Sequence, residues 1–439
     1  VARFAHSAAA PLSRASQLTE LGNGVRVVSE DLGGQTVTIG VSIDCGSRYE
    51  SEDTAGVSSL VVHSLLSQSD EKALNAMGAE LKARVGRDRL FLALRCLSRD
   101  VTKGIEILGQ LVANPDFANV ESARDRAFRE MASVDANPEA VVMNGLHAMA
   151  FQNTGLALPP VGRSESLARL SRKDCENYVN LHFKGPRVVV AVAGDVDHDL
   201  CVKTVDKSLA KVNAFYDKSE IPALSRSRYT GSDLRVRDDA MPLAHIAIAV
   251  EGAPRDSSDS LALSLAATLF GRWDPSFGGG ADSSSYMGLC SAADALTQGF
   301  RAFNISFADS GLFGAYFATE RLKQEDLLWH ATYEWKRFCT ELTDNELRRA
   351  KNAFFTQLLR REETSEGVAD VAGEHVLAFG RRVPLDEWRE RVLGLSAARV
   401  RDVCNEHVWD RCPVVSAFGP IEQLEDYEIV RSKFYWFRY

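Results

Sequence analysis

The chain has 439 residues, of which 45% are hydrophobic and 25% charged, and its formal net charge is −9. This composition excludes a wholly disordered chain, a collagen-like rod and a small disulfide scaffold, and the length allows two or three domains. An acidic balance without a basic stripe argues against a nucleic-acid partner. The longest apolar run, Val188 to Ala193, is far shorter than the roughly 20 residues of a membrane-spanning helix, so no such helix is expected.

The N-terminal segment has an unusual composition. Residues 1–19 contain Arg3 and Arg14 and several Ala and Ser, with no acidic residue before Glu20. Such a composition is typical of a mitochondrial targeting remnant, of a mature N-terminal arm or of a flexible terminus. We therefore expect residues 1–19 to form an arm outside the folded domains.

The first half predicts two strands followed by a helix, and then further strands and helices without strict alternation. Val37–Cys45 alternates apolar and polar residues at period two, which indicates a half-buried strand, and the apolar positions within Thr54–Gln68 lie on one face of a helix. The same patterns predict a strand over 90–97, a helix over 101–113, a helical region over 120–150 interrupted near Asn137 and Pro138, and a buried strand over 188–193.

The second half repeats this order of elements. A strand over 244–251 ends at Gly252 and is followed by a helix over 261–270, as the strand ending at Gly46 is followed by its helix. Two sets of residues recur at constant offsets: His147, Ala150 and Phe151 as His375, Ala378 and Phe379 at 228, and Leu170, Ser171, His182 and Gly194 as Leu395, Ser396, His407 and Gly419 at 225. Such internal repetition indicates a duplicated domain.

We therefore predict an α+β protein of two homologous domains, each a mostly antiparallel sheet covered by helices. The first domain is placed at residues 20–216 and the second at 234–439, each of about 200 residues, a common domain size. The polar stretch 217–233 is interpreted as the linker between them.

Familiar catalytic motifs are absent. None of the nine histidines forms a His-x-x-x-His pair, and no Gly-x-Ser-x-Gly elbow, P-loop or dinucleotide fingerprint occurs. The eight cysteines form no Cys-x-x-Cys pair, which favours buried, reduced thiols in a reducing compartment. Gly278, Gly279 and Gly280 form a loop that is either a structural surface loop or a binding and docking element.

Several stretches together resemble the inverted-zincin metallopeptidases, which include the mitochondrial processing peptidase and the core proteins of ubiquinol–cytochrome c reductase. The resemblance runs almost end to end and is greatest to the core protein 1 and β-subunit branch. The stretches that carry it are 46–50, 54–63, 77–79, 146–152, 170–174, 242–245, 277–284, 309–314, 418–424 and the aromatic tail 434–439.

The resemblance also implies where the active site of the family would lie. Active members carry His-x-x-Glu-His on a helix, in which two histidines bind zinc, the Glu acts as general base, and a downstream Glu is the third ligand. Here the corresponding residues are Ser59, Val62, His63 and Glu130. One imidazole and one carboxylate remain, without a base, so the resemblance implies an inactive peptidase homologue with no zinc, no catalytic residue and no cofactor.

The function implied is that of a non-catalytic structural core subunit of ubiquinol–cytochrome c reductase (complex III), peripheral on the matrix side of the mitochondrial inner membrane. Its partners would be a second core subunit of the family, the cytochrome b and cytochrome c1 subunits and small subunits. The tail residues Phe434 and Trp436 would either dock on partners or pack against their own domain. The alternatives are an assisting subunit of a processing-peptidase heterodimer that binds presequences, and an active metallopeptidase with an unorthodox site.

Overall fold

The computed structural model of the chain describes residues 15–68, 71–213, 226–277, 283 and 285–435. The strands, numbered β1 to β12 in chain order, are Ser16–Glu20, Arg26–Asp31, Thr36–Ile43, Glu80–Val85, Leu90–Leu97, Val188–Gly194, Asp233–Arg237, Ala244–Gly252, Arg272–Trp273, Gly299–Ser306, Gly311–Thr319 and Val414–Gly419. The α-helices, numbered α1 to α16, are Val57–Gln68, Glu71–Met77, Val101–Ala113, Val120–Asp135, Pro138–Ala150, Ser164–Arg169, Arg172–His182, His198–Ser208, Ser258–Phe270, Tyr286–Asp294, Gln324–Thr340, Asp344–Arg361, Ser365–Phe379, Leu385–Gly394, Ala397–His407 and Tyr427–Ser432.

The strands form two six-stranded sheets that share the order of five strands, with β1 added at one edge of the first sheet and β9 at the opposite edge of the second. Their orders are β1-β2-β6-β3-β5-β4 in the first sheet and β7-β12-β8-β11-β10-β9 in the second. In each sheet one pair is parallel, β2 with β6 and β7 with β12, and the other pairs are antiparallel. The predicted α+β class with mostly antiparallel sheets is confirmed.

The predicted interruption of the long helical region is also confirmed. Helix α4 ends at Asp135, and α5 begins at Pro138 with Asn137 as its N-cap, whose side chain accepts a hydrogen bond from the Glu139 amide. Proline suits the first helical position because its missing N–H would have no partner there.

The expected arm over 1–19 is too long at its C-terminal end, because residues 16–20 form β1 and pair with β2.

The main cores lie between each sheet and the helices of its own half. Strand β6 is buried along its whole length because alternate side chains enter different clusters: Val188, Val190 and Val192 contact the helices of the first half. Val189 and Ala191 face the opposite side of the sheet, as the period of two requires. Six of the eight free cysteines are buried, which agrees with the expected buried thiols.

The two halves exchange one helix each. Helix α13, from the second half, packs against β3 and β6 of the first sheet, and α5, from the first half, packs against β12 and β8 of the second sheet. Gly373 on α13 and Gly145 on α5 lie at the contacts, where an added Cβ would come within 2.3 Å of Ser42 Oγ and 2.6 Å of Ser416 Oγ. The exchange joins the duplicated halves through apolar surface on both sheets.

Candidate functional site

Glu50 anchors the N-terminus of α1, the helix on which Ser59, Val62 and His63 lie. The two carboxylate oxygens of Glu50 accept hydrogen bonds from the backbone amides of Gly56 and Ser58, at 2.7 and 2.8 Å. These amides would otherwise lack partners at the start of α1. Burial raises the pKa of the Glu50 carboxyl to about 7. This role was not predicted, because a lone Glu before a helix gives no sign of which amides it will reach.

Helices α1 and α4 bring together His63 and Glu130, which the resemblance assigns to two ligand positions of the family. His63 lies on α1 and Glu130 on α4, and Nε2 of the imidazole is 2.7 Å from Oε2 of the carboxylate. The side chain of His63 is 14% exposed and that of Glu130 is 52% exposed. The two residues therefore form a hydrogen-bonded pair between α1 and α4.

The other two family positions lie inside the core of the first half. Val62 is 3% exposed and belongs to the apolar cluster beneath the first sheet, and Ser59 is 1% exposed. The hydroxyl oxygen of Ser59 is buried and has no hydrogen-bond partner. Neither residue offers a carboxylate or an imidazole to the cleft.

The residues present do not fit the zinc ion of active family members. Zinc sites in proteins are built from Cys, His, Asp and Glu side chains, with three protein ligands in catalytic sites. Of the four residues at the family positions, only His63 and Glu130 carry such groups. Among the side chains that the structure describes, no cluster of three or more such residues is arranged to hold a metal.

Of the predicted docking residues, the structure describes Phe434. Gly278, Gly279, Gly280 and Trp436 lie outside the described residues. Phe434 is 3% exposed, and its ring centroid is 5.7 Å from that of Trp335 on α11. The docking interpretation is therefore wrong for the Phe434 side chain, which is part of the core of the second half because the chain after α16 folds back on α11.

A buried ion cluster between the halves was not predicted from the sequence. The Arg48 guanidinium is 3.3 Å from an Asp88 oxygen and 2.7 Å from an oxygen of Asp309, which belongs to the second half. The backbone amide of Ala308 also donates to Asp88, at 3.2 Å. Arg48 and Asp309 both occur in stretches that carry the family resemblance, but nothing in their spacing indicates that they meet.

Models of the peptidase M16 family match two parts of the chain. Residues 26–162 match the family described as insulinase (peptidase family M16), and residues 169–354 match the peptidase M16 inactive domain. The chain is 39% identical over 433 residues to cytochrome b-c1 complex subunit 1, mitochondrial, of Mus musculus, covering 97% of this chain and 90% of that protein.

Two further similarities extend the comparison. The chain is 39% identical over 437 residues to mitochondrial-processing peptidase subunit beta of Homo sapiens, covering 96% of this chain and 88% of that protein. A chain in the solved structure of complex III2 from Candida albicans, with Inz-5 bound, superposes with a TM-score of 0.90 at 26% identity, covering 95% of this chain and 99% of that chain. The family expected from the sequence is thus confirmed.

Proposed function

This chain belongs to the peptidase M16 family, and from that membership we propose that it is a non-catalytic structural core subunit of mitochondrial ubiquinol–cytochrome c reductase (complex III). The observation that carries the proposal is Val62, a buried valine at the position of the family's general base. Valine cannot accept a proton from a water molecule. Loss of a positioned base alone removes about 10²- to 10⁴-fold of rate.

The ligand set adds independent support for the absence of hydrolysis. Ser59 replaces the first histidine, and the carboxylate that remains is hydrogen-bonded to His63. A serine hydroxyl is not among the side chains from which protein zinc sites are built. The cleft would then lack both the metal-bound water and the group that activates it.

We propose that the chain assembles with a second core subunit of the family, with the cytochrome b and cytochrome c1 subunits and with small subunits, on the matrix side of the inner membrane. The similarity to cytochrome b-c1 complex subunit 1 and the superposition on a chain of complex III2 support this assembly. Over the described ranges, the helices are all too short or too polar to cross a membrane, in keeping with a peripheral position.

The proposed division into domains follows the two sheets. Residues 20–216 and 234–439 would each be one peptidase-like domain, joined by a linker over 217–233, of which residues 226–233 are described. Within that part, the amide of Ser227 donates to Asp309 and the amide of Thr230 donates to the Ala150 carbonyl. These contacts support a linker that is held against both halves.

A second candidate function is an assisting subunit of a processing-peptidase heterodimer that binds presequences. The observation in its favour is the equal identity, 39%, to mitochondrial-processing peptidase subunit beta of Homo sapiens. A presequence-binding role would not need the base or the metal at the cleft.

Affinity purification of the tagged chain from mitochondrial membranes distinguishes the two functions. If the chain is a core subunit, the purified assembly will show the reduced-minus-oxidised absorbance of b- and c-type haem and will contain several membrane subunits. A soluble two-chain assembly that cleaves a presequence peptide and lacks haem would contradict the proposal. The same purification from an untagged strain controls for adventitious capture.

A further inference from the structure

Helix α11 carries a tryptophan at the surface, within a cluster of four rings. Trp329 is 47% exposed, although tryptophan is on average a well-buried residue. Its ring lies parallel to that of Tyr333, with 3° between the planes and 5.6 Å between the centroids, and meets the His330 ring edge-on at 4.8 Å. Tyr286 on α10 closes the cluster, 5.7 Å from His330 and 5.4 Å from Tyr333. The neighbouring rings therefore hold the indole in place and leave much of it accessible.

The accessible face of the indole is directed toward two carboxylates. Side chains on a helix lean toward its N-terminus, so Tyr333, four residues further along α11, covers the C-terminal face of the Trp329 ring. The opposite face is directed toward the preceding turn, where Glu325 and Asp326 lie four and three residues before Trp329. Both of these acidic residues are exposed.

The surface beside the indole carries unpaired negative charge. Burial lowers the pKa of His330, and the Asp294 and Asp326 carboxylates oppose that shift, so both lie close to the ring cluster. In the described part of the chain, neither Glu325 nor Asp326 has an ion pair or a side-chain hydrogen bond. Carboxylates suit the first turn of a helix by themselves, where they offset the positive end of its dipole. Their position beside an accessible indole face is what distinguishes this surface.

Another helix of this chain shows the same arrangement with a cation in place. On α14 the Arg391 guanidinium lies over the Trp388 ring, 5.5 Å from its centroid, and pairs with the Glu387 carboxylate. The ring and the carboxylates are also present at Trp329, but among the described residues no Lys or Arg lies over this indole. The third member of the arrangement is therefore open to another molecule.

We propose that the surface formed by Trp329, Glu325 and Asp326 docks an arginine side chain from a basic segment of a partner protein. The planar guanidinium stacks on the free face of the indole and donates its N–H groups to the adjacent carboxylates. Tryptophan and arginine are also the residues most enriched among the energetically important contacts of protein interfaces. The inference is independent of the proposed function, because it depends only on the chemistry of this surface.

Fluorine NMR of the full-length chain labelled with fluorotryptophan tests the docking chemistry at the ring itself. Acetyl-arginine amide should shift the Trp329 resonance saturably, with a dissociation constant on the order of 10 mM, because each exposed contact is weak. The citrulline analogue has nearly the same shape without the charge and should bind about tenfold more weakly, and the lysine analogue about threefold. Trp329→Phe assigns the resonance. Trp388, which already carries Arg391, should not shift.

Two double variants with the same change of net charge test the carboxylates. Glu325→Gln with Asp326→Asn should weaken binding of acetyl-arginine amide about fivefold. Glu341→Gln with Asp344→Asn, at exposed carboxylates between α11 and α12, should leave it unchanged. Equal effects of the two double variants, equal binding of the arginine analogue and either of the others, or the absence of a saturable shift would each overturn the proposal.

Hydroxyl-radical footprinting tests whether a partner covers this surface in the cell. Trp329 should be oxidised at least fivefold more slowly in the assembly purified from cells than in the isolated full-length chain. Trp335, which is 3% exposed, provides the baseline rate of a buried indole in both samples. Equal oxidation of Trp329 in the two samples would overturn the partner assignment even if acetyl-arginine amide binds.

Discussion

The imidazole of His63 and the carboxylate of Glu130 are hydrogen-bonded to each other across α1 and α4, with 2.7 Å between Nε2 and Oε2. The family resemblance assigns both residues to metal-ligand positions. Each side chain is a hydrogen-bond partner of the other, so neither requires a metal ion as its partner. Because the Glu130 side chain is half-exposed, we expect the bond to contribute only about 0 to 1 kcal/mol to stability.

Rebuilding the family motif tests whether the cleft geometry is otherwise intact. The double variant Ser59→His with Val62→Glu restores His-x-x-Glu-His at residues 59–63. The two imidazoles would then lie one turn apart on the same face of α1, with Glu130 already beside His63. Elemental analysis should find about one zinc per chain in this variant and no zinc at this site in the natural chain.

The single variants provide the controls for this rebuilding. Ser59→His alone supplies a third ligand without the base and should bind zinc without hydrolysing a presequence peptide. His63→Ala should leave the metal content of the natural chain unchanged. Tightly bound zinc in the natural chain that is lost in His63→Ala would contradict the inactive-site interpretation.

The sequence predicts the duplicated elements well but not their assembly. The recurrence of His147 as His375 identifies α5 and α13 as equivalent helices, and the structure shows both. Periodicity indicates which face of a helix is apolar, but it does not indicate which sheet that face covers, so the exchange of these helices was not foreseen. The same limit applies to Arg48 and Asp309, because the charge of a residue carries no information on a distant partner.

The close approach of the exchanged helix gives a stability prediction at Gly373. An alanine Cβ would lie 2.3 Å from Oγ and 3.0 Å from Cβ of the buried Ser42. Overpacking of this kind costs about 1 to 3 kcal/mol, and the higher helix propensity of alanine offsets about 1 kcal/mol. We expect Gly373→Ala to lower the free energy of unfolding by up to about 2 kcal/mol, measured by chemical denaturation.

Gly394, at the end of α14, is a matched control for this substitution. An added Cβ there meets no atom within 4 Å, so Gly394→Ala should leave stability unchanged or raise it slightly. Gly145→Ala, at the equivalent contact of α5 with Ser416, should behave like Gly373→Ala. A stabilising effect of Gly373→Ala would show that α13 does not seat closely on the first sheet.

The buried ion cluster between the halves predicts a large effect of Arg48→Met. The variant leaves Asp88 and Asp309 without their guanidinium partner, and breaking a buried pair by removing one member costs about 3 to 5 kcal/mol. Arg255, 3.7 Å from Asp88, compensates part of that loss. We therefore expect a decrease of about 3 kcal/mol in the free energy of unfolding.

An exposed arginine that also joins the two halves provides the comparison. Arg84 pairs with Asp370 at 2.9 Å, and its side chain is 63% exposed. Arg84→Met should cost less than about 1 kcal/mol, because water and salt screen an exposed pair. Equal effects of Arg48→Met and Arg84→Met on the unfolding midpoint would refute the special role of burial at Arg48.

Glu50 predicts a decrease of stability as the pH rises toward neutrality. Its pKa is about 7 in the folded chain against an ordinary value of 4.5. The folded chain therefore holds a proton that the unfolded chain releases, so the free energy of unfolding falls between about pH 4.5 and 7 and levels off above. The loss from this group is about 3 kcal/mol.

Glu50→Gln keeps one acceptor oxygen for the α1 amides and should flatten this slope in unfolding titrations from pH 5 to 8. Glu52→Gln, at a largely exposed carboxylate, should leave the slope unchanged. If Glu50→Gln keeps the full slope, Glu50 is not the group whose charging destabilises the fold.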